Sequence, residues 1–122
     1  MSETPKIFES EYRFCRILWE TEPVNSTELV KVCRERLGWS KATTYTVIRR
    51  LSERGVVKNE NAVVTSRITR EEAESSEIDE LVETRFEGSR VAFLAAFTKG
   101  RKLSQAEADE LRELIDRAEE KE

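Results

Sequence analysis

The residues best suited to binding chemistry share one face of a helix that the sequence predicts at residues 41–54. This face carries hydroxyls, one aromatic ring and cations, at Ser40, Lys41, Thr43, Tyr45, Thr46, Arg49 and Arg50. After Ser40 the chain has no carboxylate before Glu53. Hydroxyls and cations are the groups that bind base edges and the phosphates beside them. The pattern therefore predicts contact with double-stranded DNA. Thr44 lies at the edge of the face, where it either contacts a base or is buried in the helix.

Charge is divided unevenly between the two halves of the chain. Residues 1–70 contain 13 Lys and Arg against 9 Asp and Glu, whereas residues 71–122 contain 8 against 16. Within residues 26–70 the balance sharpens to 10 basic against 4 acidic residues, and Arg67 adds a further candidate DNA contact. Such a segment is typical of one that meets phosphates. A solvated basic surface is the alternative, as is pairing of Arg49 and Arg50 with Glu53 or with acids of the second half.

The residue types needed for catalysis and metal binding are scarce. The chain has no histidine, two cysteines and four glycines. This excludes zinc sites built on paired cysteines and histidines, Ser-His-Asp and Cys-His nucleophiles, and glycine-rich phosphate loops. We expect no enzymatic activity, no metal and no cofactor. Cys15 and Cys33 lie on apolar helix faces, where we expect small buried side chains; a thiol redox sensor is the weaker alternative.

Three predicted helices position the DNA-contacting face. Apolar spacing predicts the first at residues 9–20, and the second begins after Asn25 and stops at Gly38. Ser40 then caps the third after a turn of only Gly38 and Trp39. Two helices joined by such a short glycine-containing turn are typical of a helix-turn-helix.

A β-hairpin is predicted directly after the third helix. The β-prone runs at residues 56–58 and 62–68 flank the polar turn Asn59-Glu60-Asn61. A hairpin in this place would be the wing of a winged helix-turn-helix. We therefore assign residues 1–70 to a winged-helix DNA-binding domain.

Residues 71–122 are predicted to form three amphipathic helices. Residues 91–97 are the most apolar window of the chain and need a covering surface. Because a dimer can contact two half-sites on DNA, we assign this half to dimerisation. The apolar residues predicted at the interface are Leu81, Phe86, Val91, Phe93, Leu94, Phe97, Leu111, Leu114 and Ile115. The alternative is that these helices pack on their own winged domain.

The predicted fold class is mostly α with a small β-wing: an N-terminal winged helix-turn-helix followed by a C-terminal helical dimerisation region. The chain has no apolar run of membrane-spanning length, and residues 1–6 lack the basic and apolar segments of a signal peptide. We expect a cytoplasmic protein without membrane insertion.

Several stretches resemble the penicillinase repressor family, which includes the methicillin-resistance repressor and copper-responsive repressors. The opening helix, the second helix and the recognition helix with its exit all carry the resemblance, and it continues through the wing to the final helix. The matching residues are 7–12, 17–19, 24–29, 39–47, 50–51, 54–55 and 103–104.

The resemblance implies a homodimeric transcriptional repressor on dyad operator DNA, ahead of genes for antibiotic resistance or stress response. It extends DNA contact to the residues that match the family pattern, which are Ser40, Lys41, Thr43, Thr44 and Thr46. Tyr45, Arg49, Arg50 and Arg67 are candidates from face and charge alone. Ala42 and Tyr45 stand where the best-known repressors have longer polar side chains, which leaves the operator sequence open.

Inactivation of the repressor is also suggested by the resemblance. In the best-known branch of the family, a membrane sensor-protease triggers cleavage at an Asn-Phe bond in the dimer segment. The corresponding pair is Ala96-Phe97, the candidate cleavage site, in which the phenylalanine is kept and the asparagine is not. The copper branch carries a cysteine cluster near its C-terminus that this chain lacks.

A function of another class remains open. A winged helix that has lost DNA binding can serve as a protein-interaction module, using the acidic half to hold a partner. Such a module would be expected to acquire carboxylates on the outer face of the third helix, and residues 40–52 contain none.

Overall fold

A computed structural model describes residues 4–120, within which the chain forms six helices and three short strands. In order these are α1 (Glu9–Thr21), β1 (Val24–Asn25), α2 (Ser26–Leu37), α3 (Lys41–Glu53), β2 (Val57–Glu60), β3 (Val63–Ser66), α4 (Arg70–Arg85), α5 (Arg90–Thr98) and α6 (Gln105–Glu120). The predicted fold class, mostly α with a small β-wing, is confirmed, whereas dimerisation by the C-terminal helices stays a prediction. Residues 1–3 and 121–122 of the predicted domains lie outside the described residues.

Local capping fixes the ends of the helix-turn-helix pair. The Asn25 side chain accepts a hydrogen bond from the Thr27 N–H (2.8 Å) at the start of α2. Gly38, with φ of 71°, ends that helix in the left-handed region, where a residue with a Cβ is disfavoured. Ser40 Oγ accepts from the Thr43 N–H (3.1 Å) and begins α3. The two helices are therefore separated by three residues only.

The sheet is antiparallel with strand order β1-β3-β2. The hairpin of β2 and β3 follows α3 as predicted, but the predicted turn Asn59-Glu60-Asn61 is wrong. Asn59 and Glu60 belong to β2 and pair with Val64 and Val63. The turn consists of Asn61 and Ala62, with φ of 54° and 65°. A two-residue hairpin turn of type I′ needs positive φ at both positions, and asparagine tolerates this better than most residues.

The core of the winged domain is built from all of its elements. Phe14 and Leu18 of α1, Leu29 of α2, Leu51 of α3 and Val64 of β3 are completely buried. Cys15 and Cys33 belong to the same cluster, which confirms the predicted burial of both side chains, and they are unpaired thiols. Each fully buried aliphatic or aromatic side chain contributes about 1.5 to 3 kcal/mol to the stability of the fold. Because Leu51 of α3 belongs to this cluster, the core holds α3 in place.

The chain divides into two compact units, the first ending at Glu80 and the second beginning at Leu81. The boundary lies within α4, ten residues beyond the domain boundary that charge and pattern suggested. The first unit holds α1 to α3 and the sheet, and the second holds α5 and α6.

The second unit consists of well-capped helices with little buried surface. Ser104 and Glu107 exchange hydrogen bonds between side chain and backbone (3.0 Å each), which form a capping box at the start of α6. Phe86 and Phe93 contact each other edge to face, with ring centres 5.6 Å apart. No residue of α5 or α6 that the structure describes is buried. None of the helices between residues 4 and 120 combines the length and apolarity needed to cross a membrane.

Candidate nucleic-acid interface

The first turn of α3 carries three exposed polar side chains. Ser40, Lys41 and Thr43 are all exposed, and Ser40 Oγ donates to Thr43 Oγ1 (3.0 Å). This bond and the cap from the Thr43 N–H hold the two hydroxyls side by side. Lys41 places a cation beside them. The turn thus presents donors, acceptors and one positive charge within four positions, and no carboxylate.

Thr44 does not share this exposed face. Its side chain is 0% exposed, and its hydroxyl donates to the carbonyl of Ser40 (3.2 Å). Of the two alternatives in the sequence, the structure places Thr44 in the core. The reason is helical spacing, because Thr44 lies one turn before Ile48 and two turns before Leu51 on the side of α3 that packs inward.

Tyr45 is half-buried and joined to another element. Its hydroxyl donates to Ser26 Oγ at the start of α2 (3.2 Å), and its ring packs against the core. The Tyr45 side chain therefore contacts the core and the start of α2, and it is not free on the outer face of α3. Helical spacing alone could not show this, because the hydrogen-bond acceptor comes from another helix.

The remaining predicted residues of α3 differ in their surroundings. Thr46 is half-buried, whereas Arg49 and Arg50 are exposed. Arg49 forms an ion pair with Glu53 one turn later (3.5 Å between Nη1 and Oε2), one of the pairings that the sequence left open. Both side chains remain well exposed, so solvent weakens this pair and Arg49 can exchange partners.

Half of the basic set between residues 26 and 70 is already paired. The ion pairs found within the described residues join Arg36 to Glu20, Arg49 to Glu53, Arg54 to Glu11, Lys58 to Glu60 and Arg70 to Glu74. The other five cations are exposed and take part in none of these pairs: Lys31, Arg34, Lys41, Arg50 and Arg67. Three of them, Lys41, Arg50 and Arg67, were predicted as DNA contacts.

The end of α3 is anchored by a buried ion pair. Arg54 donates to the carboxylate of Glu11, which is 6% exposed and also accepts from the Phe8 N–H (2.9 Å). The guanidinium lies 5.1 Å from the centre of the Phe8 ring. Arg54 therefore holds the end of α3 against α1 through Glu11. Its charge was part of the basic pattern in the sequence, but its position makes it a structural cation.

Two tryptophans support the elements around the candidate site. Trp39, in the turn before α3, stacks on Phe14 with ring centres 6.1 Å apart and nearly parallel planes. Trp19 Nε1 donates to the carbonyl of Ile68 just after the wing (3.1 Å). Both tryptophans lie in stretches that match the family, but the sequence alone does not reveal these contacts. The signal in the sequence was a large aromatic residue near a helix end, at Trp19, and another in a short turn, at Trp39.

The wing carries its cations at two places. Lys58 lies in β2 and Arg67 directly after β3, and both are exposed. The root of the hairpin is held by Glu22, whose carboxylate accepts from the backbone N–H (2.6 Å) and hydroxyl (2.8 Å) of Ser66. The sequence analysis did not identify Glu22, because its partner lies more than forty positions away.

The two cysteines are poor nucleophiles. Burial raises the pKa of the Cys15 thiol to about 12, with the nearby Glu11 carboxylate acting in the same direction. Burial likewise raises the pKa of Cys33. Both thiols are therefore protonated at neutral pH, whereas reactive cysteines carry lowered pKa values. Among residues 4–120, no group of three Cys, Asp or Glu side chains converges to hold a metal ion.

The apolar residues predicted for dimerisation are only partly covered in the single chain. Phe86, Phe93, Leu94 and Leu111 are half-buried, whereas the others are exposed: Leu81, Val91, Phe97, Leu114 and Ile115. Val91 is 80% and Ile115 is 55% exposed. An apolar groove of about 370 Å³ lies between α5 and α6, and these two residues line it together with Leu94 and Leu111.

The Ala96-Phe97 bond lies inside α5. Arg101 Nη1 donates to the carbonyls of Phe97 (2.7 Å) and Ala96 (3.3 Å), and the guanidinium lies 5.5 Å from the centre of the Phe97 ring. A cation at the C-terminal end of a helix interacts favourably with the helix dipole.

The α2-turn-α3 pair, the core beneath it and the three-stranded sheet with its hairpin define a winged helix-turn-helix protein. Residues 7–117 match the family model described as penicillinase repressor. The chain therefore belongs to the penicillinase repressor family, and the resemblance found in the sequence is confirmed.

Solved structures with this fold include two of the BlaI repressor. The solution structure of the Bacillus licheniformis BlaI monomeric form in complex with the blaP half-operator is 25% identical to this chain. It covers 59% of this chain and 93% of its own, with a TM-score of 0.51. The solution structure of the BlaI DNA-binding domain is also 25% identical, with the same coverage and a TM-score of 0.50.

A curated relative matches a shorter region. An uncharacterized 16.5 kDa protein of Latilactobacillus sakei is 35% identical over 57 residues, which is 47% of this chain. The match spans 39% of that relative, so about two fifths of its length is represented.

Proposed function

We propose that this chain is a sequence-specific DNA-binding transcriptional repressor that acts as a homodimer on a dyad operator. The observation that carries the proposal is the first turn of α3, where Ser40, Lys41 and Thr43 form an exposed polar cluster without a carboxylate. Family membership and the likeness to BlaI, whose monomeric form is described in complex with a half-operator, support the same function.

In this proposal α3 enters the major groove, which is wide enough for an α-helix. Ser40, Lys41 and Thr43 lie near base edges, because they occupy the exposed N-terminal turn. Thr46, Arg49 and Arg50 follow along the helix and meet phosphates or the groove walls. Thr44 is left out of the contacts because its side chain is buried.

The wing and the second unit complete the proposed repressor. Arg67 and Lys58 supply cations for phosphates beside the recognised bases. The exposed apolar side chains of α5 and α6, Val91 and Ile115 above all, support a dimer, because burial by a second copy would remove them from water. A dimer then contacts two half-sites, whose spacing is a multiple of about one helical turn of DNA.

Repression in this proposal follows from occupying a promoter, with genes for antibiotic resistance or stress response as targets and a cytoplasmic location. Loss of the dimer relieves it, because a single subunit loses the second half-site. A membrane sensor-protease that triggers cleavage at Ala96-Phe97 is the partner that the family suggests. The bond would have to leave α5 before a protease could bind it in extended form, and Arg101 holds the carbonyls of both residues.

The test is selection of bound sequences from randomised duplex DNA, followed by titration of the enriched site at two salt concentrations. We expect a dyad sequence and an affinity that falls steeply with salt. Lys41→Ala should weaken binding about tenfold and reduce the log-log salt slope by about two, because each of the two subunits loses one cation. Lys102→Ala is the matched control, because Lys102 is also exposed but lies outside the winged domain, and it should change neither quantity.

Absence of an enriched sequence from a folded, dimeric protein would contradict the proposal. That result would favour the protein-interaction module instead. An enriched site whose affinity is independent of salt would contradict the assigned role of the exposed cations.

A further inference from the structure

A chain of hydrogen bonds connects α3 to the turn of the wing. The Tyr45 hydroxyl donates to Ser26 Oγ (3.2 Å), and the Ser26 backbone N–H donates to the carbonyl of Ala62 (2.8 Å). Tyr45 belongs to α3, Ser26 is the first residue of α2, and Ala62 is the second residue of the wing turn. Three separate elements therefore meet at one serine.

The position of Ser26 makes this connection specific. The residue is only 5% exposed, so its polar groups need partners within the protein. The half-buried Tyr45 ring packs against the core, which limits where its hydroxyl can lie. A displaced Tyr45 hydroxyl would leave Ser26 Oγ without this donor in a site that solvent barely reaches.

The wing turn has few restraints outside its own hairpin, in which the Glu60–Val63 pair closes the turn. Asn61 and Ala62 are exposed and adopt positive φ, so neither packing nor backbone preference holds them strongly in place. Beside the turn, β1 contributes only two residues, of which Asn25 pairs with Val63. The bond from Ser26 to Ala62 thus links the turn directly to the start of α2.

We propose that Tyr45 is a positioning residue, which sets the place of the wing turn relative to α3 through Ser26, and not a residue that contacts a base. The inference rests on the proposed function, because the wing must meet DNA for its position to matter. In this scheme Lys58, whose exposed ion pair with Glu60 can exchange partners, reaches its phosphate only while the turn is held. Tyr45 then affects affinity through the wing.

The connection itself is tested on the free protein by amide hydrogen exchange. Tyr45→Phe keeps the ring and removes the hydroxyl, and should speed exchange at the Ser26 amide about fivefold. Tyr12→Phe removes the hydroxyl of the other tyrosine, in α1, and should leave the Ser26 amide unchanged. Unchanged exchange at Ser26 in Tyr45→Phe would overturn the proposal.

The effect on binding is tested with the enriched operator and four proteins: wild type, Tyr45→Phe, Lys58→Ala and the double variant. We expect Tyr45→Phe to weaken binding several-fold in the wild-type background and much less in the Lys58→Ala background, because both changes remove the same wing contact. The sequence preference should stay the same.

Losses that multiply in the double variant, or an altered preference at one base position, would overturn the proposal in favour of direct base contact by Tyr45. Failure of the wild type to bind any duplex would instead contradict the proposed function. The exchange measurement, made without DNA, keeps these two failures apart.

Discussion

Arg54 at the end of α3 and Glu11 in α1 form an ion pair across 43 positions of sequence. Glu11 lies almost wholly out of solvent and also accepts a hydrogen bond from the Phe8 backbone. The pair ties the far end of the candidate recognition helix to the opening helix. Buried ion pairs add little stability compared with apolar side chains of similar volume, but breaking one leaves an isolated charge. Its main effect is therefore to fix where α3 lies.

Glu11→Gln should lower the free energy of unfolding by about 3 kcal/mol, at the low end of the range for a broken buried pair because Arg54 remains partly exposed. Urea denaturation measures the loss. The matched control is Glu53→Gln, which removes the exposed partner of Arg49 and should cost no more than about 0.5 kcal/mol. Equal losses in the two variants would mean that the Glu11 pair has no special role.

Adjacent threonines in α3 should respond differently to the same substitution. Thr43→Val removes an exposed hydroxyl and should weaken operator binding about tenfold with little change in stability. Thr44→Val removes a buried hydroxyl that donates to Ser40 and should lower stability by about 1 kcal/mol while base preference is retained. Binding titrations and thermal unfolding of both variants separate the two roles. A change of base preference in Thr44→Val would return Thr44 to the contact set.

Much of the fold was predictable because its signals are local. Apolar spacing, Ser40 as a cap and Gly38 as a stop placed the helix-turn-helix within one residue at each end. The strand β1 was not predicted, since Val24 and Asn25 form it only by pairing with β3, which follows about forty positions later. The wing turn was predicted too early in the chain, because Asn59 and Glu60 are polar residues typical of turns. Both belong to β2, where they pair with Val64 and Val63.

The candidate site was predictable only as a face. Helical spacing correctly predicted that Ser40, Lys41 and Thr43 are exposed. It could not show the hydrogen bond of Tyr45 to Ser26 or the ion pair of Arg54 with Glu11. In both cases the partner belongs to another element. A charge count treats every cation as available, whereas tertiary contacts decide which of them are.

Ala62→Gly should stabilise the winged domain by about 0.5 to 1 kcal/mol. Ala62 has φ of 65°, a conformation that costs an L-residue about 1 kcal/mol and costs glycine nothing. Ala42→Gly, at an exposed helical position of α3, is the control and should destabilise by about 1 kcal/mol. Thermal unfolding measures both. Destabilisation by Ala62→Gly would show that the turn carries no strain that glycine can relieve.

The buried thiols should make stability fall at high pH. Burial raises the pKa of Cys15 from 9.0 to about 12, so the folded state keeps its proton while the unfolded state loses it. The contribution is fully present below pH 9 and is lost as the pH rises toward 12. The free energy of unfolding, measured by urea denaturation across that range, should decline less steeply in Cys15→Ala.

Reaction with a thiol reagent at neutral pH gives an independent check on Cys15 and Cys33. Both should react slowly in the folded protein and rapidly in urea, because the reactive thiolate is scarce and shielded. Rapid labelling of the folded protein would contradict the burial of the thiols and would favour the redox-sensor alternative.

The exposed apolar side of α6 should hold two subunits together. Leu114 is 54% exposed in the single chain, and a glutamate there would place a charge in the proposed interface. Leu114→Glu should therefore shift the protein from dimer to monomer in sedimentation equilibrium and weaken binding to the dyad operator more than binding to a single half-site. Glu113→Gln also changes the charge by one unit, but on the opposite side of the same helix, and should preserve the dimer. If Leu114→Glu remains a dimer, the subunits must contact each other elsewhere than on this side of α6. If it is a monomer that still binds the dyad operator at full affinity, operator binding does not need the dimer.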